Sequence, residues 1–182
     1  MSVMYKLQTS WKYEEPVPEV TVEINKSLDY LSFCFDVKEH SDCFRQVCVK
    51  DGDPCWQDSC VEVFIQSPKL GGYFNFETNS AGVTLAEFGQ SRENRHRFEP
   101  EEYTILKRHV ILAPVKEHDE RIHWSVKIEI PLSLLGIEYT DSVFGNLYKC
   151  ASNAIHPVYL LLFPIDTPKP DYHRPEFFRK II

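Results

Sequence analysis

Leu31-Ser32-Phe33-Cys34-Phe35-Asp36-Val37 puts an apolar side chain at every odd position and a small or polar one between. Successive strand side chains point to opposite faces, so this period of two describes an extended segment with one row on a core and the other in more polar surroundings. The same alternation returns in Val20, Val22 and Ile24, in Val61, Val63 and Ile65, and in Trp124, Val126, Ile128 and Ile130. Tyr73 to Thr78 alternates Phe74 and Phe76 with Tyr73, Asn75 and Glu77, and the second set shares a face that need not be buried. Further β-rich runs lie at His109 to Ala113, Leu147 to Ala151, Val158 to Phe163 and Phe177 to Ile182. Roughly nine or ten short strands without a long 3.6-period segment predict an antiparallel sandwich or barrel. Helix is confined to scraps, the best being Pro131 to Leu135, where proline suits a first turn and Gly136 an end.

The chain has 182 residues, a length that predicts one domain over 1–182. Hydrophobic residues make up 43%, with 12 Phe, 9 Tyr and 3 Trp, which is enough to build a core and excludes general disorder. Twenty Lys and Arg stand against 27 Asp and Glu, a net charge of −7. No basic run supplies the phosphate-neutralising stripe of a nucleic-acid binder or of a protein attracted to anionic membranes, so neither partner is expected. The first ten residues lack a charged stretch followed by an apolar one, and no run approaches 18 apolar residues; a cytoplasmic location is the expectation.

Six cysteines, Cys34, Cys43, Cys48, Cys55, Cys60 and Cys150, fall below the density of a disulfide scaffold and are expected to be reduced. Cys43, Cys48, Cys55 and Cys60 are separated by four, six and four residues, not by the tight pairs of a structural zinc site. Cys34 and Cys60 suit instead the part of small residues within strands. The seven histidines, His40, His96, His109, His118, His123, His156 and His173, form no metal-ligand motif. Pro164, Pro168, Pro170 and Pro175 make Phe163 to Pro175 a stiff, extended loop, a good mount for a binding side chain.

The most specific stretch is Trp56-Gln57-Asp58-Ser59-Cys60-Val61-Glu62-Val63-Phe64-Ile65. A tryptophan at the mouth of a strand and a carboxylate six residues on supply an apolar plate for the C–H face of a pyranose and an acceptor for its hydroxyls. Trp56 reads equally as a core residue, and Glu62 and Glu77 as members of an exposed strand face.

Together with that run, YFNFETNSAG at 73–82, HWSVKIEIPLSLLG at 123–136, GNLYKC at 145–150 and PDYHRPEFF at 170–178 resemble, in order, the pattern of carbohydrate-binding module family 9. The resemblance implies an antiparallel β-sandwich of jelly-roll type. It implies non-catalytic binding of a mono- or oligosaccharide, Trp56 forming one wall of an aromatic clamp and Glu62 hydrogen-bonding hydroxyls. The second wall falls at Tyr172, and Asn75 stands where relatives place a basic residue that contacts sugar. His173 and Arg174 become rim contacts to hydroxyls or to a carboxylated sugar. The family often holds structural calcium, although no ligand set can be assigned from spacing, and association with a carbohydrate-active enzyme fits the same pattern. The alternative readings are a glycoside hydrolase or other sugar-active enzyme working through Glu62 and Glu77, and an interaction domain without a sugar ligand.

Overall fold

The computed structural model describes residues 2–9, 11, 16–112 and 120–182; Ala113, the end of one expected run, and His118 lie outside the described residues. The strands are β1 (Ser2–Lys6), β2 (Glu19–Lys26), β3 (Tyr30–His40), β4 (Cys60–Ser67), β5 (Gly72–Asn79), β6 (Thr84–Gly89), β7 (Arg95–Arg97), β8 (Lys107–Leu112), β9 (Arg121–Pro131), β10 (Phe144–Ala151), β11 (Val158–Leu161) and β12 (Arg179–Lys180). One sheet runs β1-β2-β3-β9-β8. The other runs β11-β10-β4-β5-β6-β7, with β12 added beside β10. The pairings of both sheets are antiparallel, so the protein is a β-sandwich. The one α-helix among the described residues, α1 (Leu132–Leu135), follows Pro131 and closes on Gly136, whose φ of 64° suits a residue without a Cβ.

The alternating segments form the inner faces. Register sets Phe33 opposite Ile128, and Phe35 between Val22 and Val126, so the apolar rows of β2, β3 and β9 lie side by side. Val61, Val63 and Ile65 of β4, Phe74 and Phe76 of β5, and Leu147 of β10 meet them from the second sheet in one buried cluster. Each such side chain contributes roughly 1.5–3 kcal/mol by leaving water. Within this core Lys149 Nζ lies 2.8 Å from Glu39 Oε2, and Trp124 Nε1 donates to Glu39 Oε1 at 2.7 Å.

The second sheet is buried on its outer face as well. Of the eight residues of β4 only Gln66 is exposed, and seven of the eight in β5 are buried. Glu62 and Glu77 are therefore no exposed strand face; both lie under covering loops. The outer rows form a second apolar cluster in which Phe64, Tyr73, Leu85, Tyr148 and Leu161 pack with Tyr172 and Phe178.

Strands without alternation escaped the sequence reading. β6 reads Thr-Leu-Ala-Glu-Phe-Gly and β7 reads Arg-His-Arg, and β1 is a half-exposed edge with Met4 at the surface. The expected run at Phe177 to Ile182 shrinks to the two residues of β12, because Ile181 and Ile182 turn into the core.

Candidate functional site

On the outer face of the larger sheet, Glu62 of β4 stands directly opposite Glu77 of β5 on one side and Tyr148 of β10 on the other. Glu87 of β6 follows across the same face, since Asn75 pairs with Glu87. Two loops close over this surface, one carrying Trp56 and one carrying Tyr172 and His173. They leave a cavity of about 290 Å³, close to the lower end of the roughly 300–1,000 Å³ typical of small-ligand sites. Trp56, Glu62, Glu77, Tyr172 and His173 all line it.

Trp56 sits on a single 3-10 turn, Cys55–Gln57, and is 42% exposed, so it is not a core residue. Its backbone carbonyl accepts from Ser152 N at 3.2 Å and faces the Cys150 thiol at 3.3 Å, which pins the turn to the end of β10. Asp58 holds the other side of the loop. Fully buried, it accepts from Val47 N at 2.9 Å and Cys48 N at 2.8 Å, receives the Asn79 amide at 3.1 Å and pairs with Arg45. A carboxylate bonded by several donors fixes a loop that has no strand partner of its own.

The floor is carboxylic. Burial, with the Cys150 thiol next, pushes the Glu62 carboxyl well above its ordinary range, and Cys150 Sγ donates to Glu62 Oε1 at 2.9 Å. Burial followed by the neighbouring Glu62 and Glu87 does the same to Glu77. A carboxyl that keeps its proton both donates and accepts, which suits it to hydroxyl partners. Glu87 is instead paired with Arg95 and Arg97.

The loop side is aromatic and basic. Tyr172 reaches the cavity at only 8% exposure, stacked on Tyr148 with ring centroids 4.0 Å apart and planes 8° from parallel. One face of the ring is thus packed on the sheet, and what remains of it borders the cavity. Tyr159, 6.4 Å from Tyr172 and edge-on to it, lines the cavity beside it. His173 Nδ1 lies 2.9 Å from the Tyr73 hydroxyl and its Nε2 lies 3.3 Å from Arg95 Nη1. Arginine only donates, so Nε2 accepts and the ring proton sits on Nδ1. Burial, then the charges of Arg95 and Arg92, lower the His173 pKa to about 3.

Two expected contacts lie off the cavity. Asn75 is fully buried and lines no open space; its Nδ2 donates to Glu77 Oε1 at 3.1 Å and Glu87 Oε2 at 3.2 Å, so it orients the acids from beneath. Arg174 is also outside the lining, its Nε 2.8 Å from Asp171 Oδ2 within its own loop. The basic residues that do line the cavity are Arg92, Arg95 and Arg97, which the sequence reading missed. Arg95 and Arg97 share a face of β7 by their spacing of two, and their pairing with Gly89 and Glu87 was the signal that places them.

Among the described residues, the grouping of three candidate metal ligands is Cys60, Glu62 and Cys150, whose ligand atoms lie within 4.8 Å of one another. Two thiols and one carboxyl do not fit calcium, which takes six to eight oxygens. All six cysteines are free.

The profile of carbohydrate-binding family 9 matches residues 4–182. A solved structure from Bacteroides uniformis, of a protein with inferred carbohydrate-binding function, superposes with a TM-score of 0.85 at 31% identity, covering 97% of this chain and 84% of that one. A family 9 module from Caldicellulosiruptor kristjanssonii in complex with glucose shares the fold at a TM-score of 0.54 and 12% identity, over 96% of this chain and 82% of that one. The same module in complex with cellotriose aligns equally well over 78% of its length. An extracellular protein of Arthroderma benhamiae is 22% identical over 181 residues, 93% of this chain and 80% of that protein. With the profile spanning nearly all its length, this chain belongs to carbohydrate-binding family 9.

Proposed function

We propose that the cavity binds one ring of a mono- or oligosaccharide, with Trp56 as the apolar plate and the Glu62 and Glu77 carboxyls as hydrogen-bonding partners for its hydroxyls. Carbohydrate binding is the function of the family, and the observation that carries the reading to this cavity is an exposed tryptophan facing buried, bonded acids. Burying a Trp face against C–H groups while polar groups fix orientation is how such sites combine affinity with specificity. Tyr159 and Tyr172 bound the ring from the sheet side.

Binding without turnover fits the electrostatics better than hydrolysis does. A glycosidase needs one of its two carboxyls ionised as base or nucleophile, whereas burial favours the protonated form of both Glu62 and Glu77. The Caldicellulosiruptor kristjanssonii module of the family is in complex with glucose in one structure and with cellotriose in another, which makes these the first probes. Titration by calorimetry and tryptophan fluorescence is expected to give saturable binding that Trp56→Ala removes with the fold intact. Binding unaltered in Trp56→Ala would overturn the assignment.

A further inference from the structure

We propose that the cavity selects a carboxylated, monoanionic sugar of the hexuronate class, its carboxylate held by the Arg92 and Arg97 guanidinium groups at the rim. The proposal rests on the saccharide reading above and names the class of sugar within it.

The three arginines of the cavity are not equivalent. Arg95 is 16% exposed and closes on Glu87, Asn75 and His173 inside the site. Arg92 and Arg97 are each 60% exposed. Arg92 reaches Asp171 at 3.5 Å, and Arg97 reaches Glu87 Oε1 from Nε and Nη2 at 3.3 Å each. Each guanidinium has five N–H donors in a planar fork, so these long contacts leave donor directions at the mouth. A planar carboxylate matches that fork with two parallel hydrogen bonds, roughly twice as strong as neutral ones.

Charge count agrees with geometry. Arg92, Arg95 and Arg97, with Arg174 on the flank of the loop that carries Asp171, meet the carboxylates of Glu87, Asp171 and Glu176. Burial disfavours a charge on Glu62, on Glu77 and on His173. One positive charge is left over, inside a protein of net charge −7. A neutral hexose leaves that charge uncompensated and a phosphate dianion exceeds it. The acids lie on the floor and the outer arginines at the rim, so a hexuronate can give hydroxyls to the first and its carboxylate to the second.

The test is calorimetric titration of the whole protein with D-glucuronate, D-galacturonate, D-glucose, D-galactose and D-glucose 6-phosphate, at 20 mM and 300 mM salt. At low salt at least one uronate is expected to bind tenfold or more tighter than its neutral counterpart. The preference shrinks at high salt and falls at least fivefold in Arg92→Gln and in Arg97→Gln, whose exposed side chains leave the thermal melt unchanged. Neutral hexoses binding as tightly as uronates, with Trp56→Ala abolishing both, would overturn the proposal and leave the saccharide reading standing. Tighter binding of the sugar phosphate than of either uronate would overturn the carboxylate assignment. Binding of none of the five overturns both.

Discussion

Tyr172 lies flat on Tyr148, ring centroids 4.0 Å apart, and its hydroxyl is 3.0 Å from the backbone carbonyls of both Lys149 and Leu160. The tyrosine thus fastens the proline-rich loop to neighbouring strands by a ring face and by one O–H shared between two acceptors. The two parts separate by substitution. Tyr172→Phe keeps the stack and is expected to cost about 1 kcal/mol in urea unfolding. Tyr172→Ala is expected to cost about 3–5 kcal/mol, as a large buried ring removed from a packed site does. Equal losses in the two variants would show that the ring does not hold the loop.

Asp58 controls Trp56 without touching the cavity. Its carboxylate satisfies Val47 N and Cys48 N and pairs with Arg45 while fully buried. Asp58→Ala leaves those donors without their acceptor, a loss on the order of 3 kcal/mol. Freed from this anchor, the loop should present Trp56 in many orientations. Glucose or uronate affinity is therefore expected to fall at least tenfold at temperatures where circular dichroism still reports a folded sheet. Unchanged affinity in the folded variant would show that the Cys150 and Ser152 contacts to Trp56 suffice.

The legible part of this fold was its alternating strands, and the reason is burial on one side only. β2, β3 and β9 carry strict apolar and polar rows because one face meets the core and the other meets water. β6 and β7 lack that contrast: β6 is covered on both faces and β7 is a charged edge. The site was half legible for a related reason. Parity alone puts Asn75 and Glu77 on one face, and pairing brings Glu62 to it. Which side chain reaches open space depends on loops folded over that face from distant positions, and local pattern holds no record of them. Asn75 was assigned to the ligand on sequence correspondence, yet it lies one layer below. Arg95 and Arg97 join the cavity through a strand pairing that composition does not announce.

A buried histidine and two buried glutamates give the stability opposite pH slopes. His173 has its folded pKa lowered to about 3 from an ordinary 6.5. Between those values the unfolded chain takes up a proton that the folded chain refuses, so stability falls as pH drops from about 6.5 towards 3. Glu62 and Glu77 are raised above 4.5, so the folded chain holds protons that the unfolded chain has released. Their contribution is present below 4.5 and is lost as pH rises above it. Glu62→Gln is accordingly expected to unfold at higher denaturant than the parent at pH 8, with the gap closing towards pH 4. His173→Gln is expected to flatten the acid side alone. Denaturant midpoints from pH 3 to 9 check both signs, and a Glu62→Gln variant less stable at pH 8 than at pH 4 relative to parent would refute the first.

The pairing of Lys149 with Glu39 allows a sharper test, because both side chains are fully buried and Trp124 shares the carboxylate. Taking either charge away strands the other in the core, which costs about 3–5 kcal/mol. Replacing both removes the desolvation along with the attraction. Lys149→Met and Glu39→Leu are each expected to lower stability by that amount, whereas the double variant should recover much of it and lose chiefly the Trp124 hydrogen bond, about 1 kcal/mol. The coupling between the two sites should thus be large and compensating. Because Lys149 points into the core and Cys150, its neighbour on β10, faces the cavity, sugar affinity should be nearly unchanged in the double variant. Losses that simply add across the two sites would show that the pair is not an isolated buried ion pair and that solvent or another charge reaches it.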